Sequence, residues 1–283
     1  MNTPFYVFMK LLPKNAASRI FGIVTRLRIP VFSKLARDIF AAHYQLNMDE
    51  AEYPLNHYRN IGELFIRRLK PGARPIADSE IVSPVDGVLS QTLTFDSNQE
   101  MIQAKGKYYT LKDLLRDDEL AKRFDGGAFA TIYLAPFNYH RIHSPVKGEL
   151  VGASYCPGTL WPVNVGSVER VEGLFCINER LTSHIRLEDG SEILVVKVGA
   201  TNVGRIGVVY SDDLLTNAGK IPRSGKRMDW KPEGKVSFEK GGELGRFEMG
   251  STVILVVDKK IRERHPDLFK GRLGQAVKVG EAL

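Results

Sequence analysis

Apolar residues at Ile20, Ile23, Val24 and Leu27 recur at i, i+3, i+4 and i+7, which predicts an amphipathic helix over residues 18–29. Pro30 cannot continue that helix. A second helix is expected from Val31 to Tyr44, with Val31, Leu35 and Ile39 in line. A third is expected from Ile61 to Leu69. Asn60 and Glu63 stand at capping-box spacing before it, and Pro71-Gly72 ends it. From Ile81 onward the pattern changes to short β-rich runs. Ile81-Val82, Val88-Leu89, Phe129 to Leu134, Ile193 to Val198, Ile206 to Tyr210, Val253 to Val257 and Ala276 to Val279 are separated by Gly, Pro or Asp. Leu111 to Phe124 is the clearest helical island among them, and residues 211–246 read as loop-rich, with a basic loop at Lys220 to Gly225. The fold class expected is α+β, a predominantly β core with amphipathic helices at the N-terminus.

Charge divides the chain in the same place. The net charge is +7. Residues 1–47 hold Lys10, Lys14, Arg19, Arg26, Arg28, Lys34 and Arg37 against Asp38 alone, a local excess of +6. The rest is nearly neutral, which excludes a uniformly basic nucleic-acid binder. Arg19 and Arg26 flank the apolar face of the first helix, where their stems would lie along lipid and their charges reach anionic headgroups. Residues 1–47 are therefore expected to associate with a membrane surface, and residues 48–283 to form a β-rich catalytic domain.

No run of 18 or more apolar residues is present, so no simple spanning helix is expected. Phe5 to Leu12 is short and interrupted by Lys10, unlike a secretory leader. An Arg-rich, acid-poor start also suits a mitochondrial transit peptide, although hydroxyl residues are few. Cys156 and Cys176 are the two cysteines, which fits a reducing compartment and two small buried side chains.

Three residue types at separate positions suggest activation of a hydroxyl: Asp86 in Ser83-Pro-Val-Asp86-Gly87, His140 and His143 in Tyr139-His140-Arg-Ile-His143-Ser-Pro145, and Ser251 in Met249-Gly250-Ser251-Thr252. A serine needs a base, and the base needs an orienting group. A serine hydrolase built on Asp86, His143 and Ser251 is one reading. Met249 and Val253 stand where a Gly-x-Ser-x-Gly elbow has glycine, which speaks against it. A metal site on His140 and His143 needs a third ligand, and His43, His57, His184 and His265 show no ligand-like spacing, so no metal is expected. A biotinyl-like binding module would need a Met-Lys-Met type attachment lysine, which is lacking.

These segments, with Phe65-Ile-Arg67-Arg-Leu-Lys-Pro-Gly-Ala-Arg-Pro75, resemble the proenzyme of the phosphatidylserine decarboxylase family in its long bacterial form. Ala104 to Lys112, Pro157 to Asn164, Asn178-Glu-Arg180 and Val198 to Asn202 extend the resemblance over nearly the whole chain. It implies a β core related to biotinyl/lipoyl-type folds. It also implies self-cleavage of the Gly250–Ser251 bond into a beta chain, 1–250, and an alpha chain, 251–283. Ser251 would become a pyruvoyl group, with no pyridoxal phosphate and no metal. Asp86 and His143 would be orienter and base for the cleavage, and His140 would serve substrate binding or proton transfer. The implied reaction converts phosphatidylserine to phosphatidylethanolamine and CO₂ in phospholipid biosynthesis. The expected setting is an anionic membrane surface at the cytoplasmic face of the cell membrane, and a homodimer is compatible with it. A pyruvoyl decarboxylase of a soluble amino acid is the rival within this chemistry.

Overall fold

A computed structural model describes residues 3–95, 100–104, 106–201, 205–217, 225–248 and 251–283. The helices are α1 (Thr3–Leu11), α2 (Lys14–Val24), α3 (Pro30–His43), α4 (Ile61–Phe65), α5 (Leu111–Leu115), α6 (Asp118–Lys122), α7 (Val165–Val168), α8 (Leu174–Ile177) and α9 (Lys259–Arg264). The strands are β1 (Gly87–Thr94), β2 (Glu100–Ala104), β3 (Lys107–Thr110), β4 (Ala128–Leu134), β5 (Arg141–His143), β6 (Gly148–Cys156) and β7 (Arg180–Arg186). They continue with β8 (Glu192–Val198), β9 (Ile206–Val208), β10 (Met228–Trp230), β11 (Ser237–Phe238), β12 (Glu243–Phe247), β13 (Ser251–Val257) and β14 (Ala276–Val277).

One antiparallel sheet of nine strands runs β10-β6-β7-β8-β13-β4-β1-β14, with β11 also on β6. Its central strands are buried on both faces, which is why Val253 to Val257 reads as an unbroken apolar run. Val253, Leu255 and Val257 face one core with Ile132, Val195 and Leu181. Ile254 and Val256 face the other with Phe129, Leu194 and Val196. The first core is closed by the small sheet β5-β12-β9 through Ile142, Phe247 and Ile206. The second is closed by α5, α8 and the β2-β3 hairpin through Leu114, Phe175 and Met101. The α+β class with a mostly β core is what the pattern predicts, while kinship with biotinyl/lipoyl folds stays an implication of the resemblance.

Helix boundaries differ from the periodicity in instructive ways. The island at Leu111 to Phe124 is two short helices, because Arg116 takes a left-handed φ of 50° and Asp117 starts a new cap on Leu120 N–H. The cap at Asn60 forms on Glu63 N–H at 2.9 Å, but Glu63 returns its bond to Arg59 N–H, and α4 stops at Phe65.

The N-terminal helices pack in an inverted sense. Their buried positions are small or polar: Ser18 and Gly22 on α2, Ser33, Arg37 and Ala41 on α3. Asn15 Nδ2 donates to Gly158 O at 2.9 Å, Gly62 N to Thr25 O at 3.0 Å, and Lys14 Nζ lies 4.3 Å above the Trp161 ring. The predicted apolar faces point outward. Ile20, Ile23 and Val24 are exposed, as are Leu35 and Ile39, and Leu11 and Val31 are 80% and 81% exposed. Among the described residues no helix is long and apolar enough to cross a membrane.

Candidate active site

The end of β4 organises the candidate residues. Leu134 pairs with Ser251 and Tyr133 with Thr252 on one side, and Tyr133 pairs with Val88 on the other. Val88 and Thr252 thus sit two strand spacings apart, about 10 Å, on either flank of one strand, with Asp86 and Ser251 just before them in their segments. Gly87 is required for this approach, since a Cβ there would lie 2.5 Å from the Tyr133 carbonyl oxygen. The loop leaving β4 carries Tyr139 and His140 and enters β5 with His143. His143 N bonds Pro84 O at 2.8 Å, and Phe247 N bonds His140 O at 3.0 Å. Both histidines are thereby anchored between the aspartate segment and the strand that leads to Ser251. Gly250, on the other side of the expected scissile bond, lies outside the described residues.

Asp86 is 4% exposed and fully engaged. Arg74 Nε donates to Oδ1 at 3.0 Å, Arg74 Nη2 to Oδ2 at 2.6 Å, and the backbone N–H of Val279 to Oδ1 at 2.9 Å. Arg74 Nη2 also donates to Glu50 Oε2 at 2.8 Å. Burial pulls the Arg74 pKa down, but its hydrogen bonds to Asp86 and Glu50 outweigh that and raise it. The same bond to Arg74 lowers the pKa of Glu50.

Each histidine has a defined tautomer. A carbonyl oxygen only accepts, so the ring nitrogen facing it donates. His143 Nδ1 donates to Gly241 O at 2.7 Å, and its Nε2 accepts from the Tyr139 hydroxyl at 3.2 Å. Burial lowers the His143 pKa, opposed first by the Gly241 bond, then by the charge of Glu243 and least by that of Asp86. Among the described residues Asp86 makes no hydrogen bond to His143; the Gly241 carbonyl orients the ring. His140 Nδ1 donates to Asn138 O at 2.8 Å, leaving a lone pair on Nε2, which is buried without a partner among the described residues. Its ring centroid lies 4.0 Å from that of Phe65. Burial pushes the His140 pKa down to about 3, and the charge of Arg67 adds to this. His140 is therefore a neutral imidazole at physiological pH, with a free acceptor in an apolar setting.

Arg74 and Tyr139 bond the candidate side chains Asp86 and His143, and no spacing in the sequence singles them out. Both lie inside quoted motifs, Pro71-Gly-Ala-Arg74-Pro75 and Tyr139-His140, so proximity in sequence was the available signal. Glu50 carried none. Asn178 and Arg180 belong to architecture instead. Asn178 bonds the Trp161 backbone in both directions, and Arg180 is spent on the carbonyls of Leu114, Asp113, Cys176 and Asn178.

Comparison with known proteins bears on the whole constellation. The family model described as Phosphatidylserine decarboxylase matches residues 61–283. The phosphatidylserine decarboxylase proenzyme of Myxococcus xanthus (strain DK1622) is 46% identical over 262 residues, 90% of each chain. That of Anaeromyxobacter sp. (strain K) is 46% identical over 284 residues, 99% of this chain and 97% of its own. That of Brevibacillus brevis (strain 47) is 44% identical over 277 residues, 96% of each. The matched span includes the positions of Arg74, Asp86, both histidines and Ser251, and the chain belongs to the phosphatidylserine decarboxylase family.

Proposed function

We propose that this chain is a proenzyme that cuts itself between Gly250 and Ser251 and then decarboxylates phosphatidylserine to phosphatidylethanolamine. The observation that carries this reading is the convergence of Asp86, His140 and His143 on the end of β4 where β13 begins at Ser251. Each imidazole offers Nε2 as the basic atom, because Nδ1 is committed to a carbonyl.

In maturation a histidine Nε2 takes the proton of the Ser251 hydroxyl. We assign this to His143, whose lone pair is held by a single long bond from Tyr139. The serine oxygen then attacks the Gly250 carbonyl carbon, the C–N bond breaks, and an ester replaces the amide. Loss of the Cα proton of residue 251 expels the Gly250 carboxylate, and hydrolysis releases ammonia and leaves a ketone. Asp86 and Arg74 hold the aspartate segment, and the strand pairing of β13 on β4 and β8 fixes the attacked backbone.

A pyruvoyl group at residue 251 supplies a ketone that captures the substrate amine and accepts the electron pair left when CO₂ departs. The site fits such a group through the unpartnered, buried Nε2 of His140. A neutral base there accepts a proton from the substrate amine and returns one to Cα. The apolar wall of Phe65 excludes water from that exchange.

The inverted helices support a peripheral position on an anionic membrane. An apolar face exposed over α1, α2 and α3 is costly in water and matches an interfacial lipid layer. The deciding experiment is the intact mass of the purified full-length protein. Two pieces, 1–250 and 251–283 with a pyruvoyl N-terminus, are expected. A single chain of full mass that hydrolyses esters would instead establish the serine hydrolase.

A further inference from the structure

A cluster of cations between α2 and the core has no part in the chemistry above. Arg26 Nη1 donates to Glu248 Oε2 at 2.6 Å, and Arg205 Nη1 reaches the same oxygen at 3.2 Å. Arg246 Nη2 lies 3.6 Å from the other oxygen. Three guanidinium groups thus face one carboxylate, whose side chain is only 12% exposed. Burial, and then the charge of Arg205, lower the pKa of Arg26, while Glu248 raises it. Beside the cluster lies a cavity of about 140 Å³, with Ser18, Arg19, Gly22, Ile23, Arg26 and Arg205 in its wall. Gly22 makes room for the cation, because a Cβ there would stand 2.9 Å from Arg26 Nη2.

Two relationships give this cavity a direction. Ile23 lines it and also belongs to the exposed apolar face of α2. Glu248 precedes Ser251 by three residues, at most about 11 Å of extended chain. The cavity therefore borders the exposed apolar face of α2, and two of its wall arginines, Arg26 and Arg205, hold a carboxylate that is close in sequence to the reacting position. A phospholipid headgroup has this layout: acyl chains, then a singly charged phosphodiester, then the reacting amine. Forked guanidinium groups bind carboxylate and phosphate oxygens in the same way.

We propose that this cavity receives the phosphodiester of the lipid headgroup, and that Glu248 stands in for that anion in the uncut chain. The proposal rests on the cleavage reading above, since cutting after Gly250 makes Glu248 the third residue from a chain end and detaches it from β13. Arg26, Arg205 and Arg246 then exchange an internal carboxylate for the substrate phosphate. Maturation would open the substrate site in the same event that creates the reactive group.

The test uses the full-length chain carrying Ser251→Ala, with soluble glycerophosphoserine and inorganic phosphate as calorimetric probes. Adding Glu248→Gln is expected to tighten glycerophosphoserine binding by about tenfold or more, the scale of one charge-assisted bond set free. Adding Arg205→Gln to that double variant is expected to reverse the gain. Arg246→Gln probes the same carboxylate cluster if the Arg205 variant is unfolded by circular dichroism. No gain from Glu248→Gln, or a gain that survives both arginine changes, overturns the proposal. Inorganic phosphate binding as tightly as glycerophosphoserine overturns the headgroup assignment and leaves a general anion site. The cleavage reading is scored separately, by the intact mass of the chain with Ser251 in place.

Discussion

Asp86 Oδ1 accepts a hydrogen bond from the backbone N–H of Val279 at 2.9 Å, across the two pieces that cleavage would create. This bond is one of several such links. β13 lies between β4 and β8, and β14 pairs with β1. The 251–283 piece is thus woven into the sheet and contributes Leu255, Val257 and Val277 to the core. The cleaved protein is expected to run as one species in native size exclusion and to separate only in denaturant. Ser251→Ala should give one full-length chain and release no CO₂. Dissociation of the pieces under native conditions would contradict this packing.

Arg74 and Asp86 form a buried two-point pair, with side chains 10% and 6% exposed. Removing one member leaves the other charge stranded, at about 3–5 kcal/mol. Arg74→Met should lower the stability of the uncut chain by that order in urea titrations. Asp86→Asn keeps an acceptor for Val279 N–H but loses the charge near His143. Cleavage should then slow, because the aspartate segment loses its charged tie to Arg74, but by less than the ~10⁴-fold loss of a triad aspartate bonded to its histidine, since Gly241 O orients the His143 ring. Asp86→Asn cut at the normal rate would remove Asp86 from the relay.

His140 and His143 should separate by step. His140→Ala is expected to cut itself yet release CO₂ at least about a hundredfold more slowly per pyruvoyl group, the lower range for loss of a general acid–base group. His143→Ala should remain largely uncut. Equal turnover per pyruvoyl group in wild type and His140→Ala would return His140 to a packing role.

The same histidine makes a pH prediction. The unfolded imidazole titrates near about 6.5, while burial holds folded His140 at about 3. Between those values the unfolded chain binds more protons, so stability is complete above the upper value and falls as pH drops toward the lower one. His143 is shifted in the same direction and adds to the loss. His140→Asn should show a shallower fall in Tm between pH 6.5 and 4 than wild type. An unchanged slope would place the acid sensitivity elsewhere.

Much of this architecture was legible from pattern alone. The run Val253 to Val257 became the central strand because both its faces are buried, and Phe129 to Leu134 became its neighbour for the same reason. β6 and β7 escaped notice, since Gly152, Ser154, Thr182, Ser183 and His184 interrupt their apolar pattern and are tolerated only through pairing. The end of α4 and the break at Arg116 depend on tertiary contacts and a single φ value, which periodicity does not encode. Asp86, His140, His143 and Ser251 stand out as candidates through motifs, but the neighbouring Arg74, Glu50 and Gly241 do not. Those partners are fixed by chain crossings, and no spacing rule announces them.

Membrane binding should depend on the outward apolar face more than on every basic residue of the first 47. Arg26 is occupied by Glu248, Arg28 by Glu63 at 3.2 Å, and Arg37 by Asp38 and the Tyr58 carbonyl. Lys10, Arg19 and Lys34 are exposed and remain for lipid. Near an anionic surface each contributes about 1 kcal/mol, a part that salt screens. Replacing these three with Gln should weaken binding to phosphatidylserine vesicles and flatten its salt dependence, while self-cleavage continues. Ile23→Asp with Val31→Asp should reduce binding further and at every salt concentration, because apolar insertion is not screened. Sedimentation with vesicles across a salt series separates the two parts. Full vesicle binding by the double aspartate variant would mean that α2 and α3 turn their apolar face to a protein partner, and that lipid reaches the site from the β core.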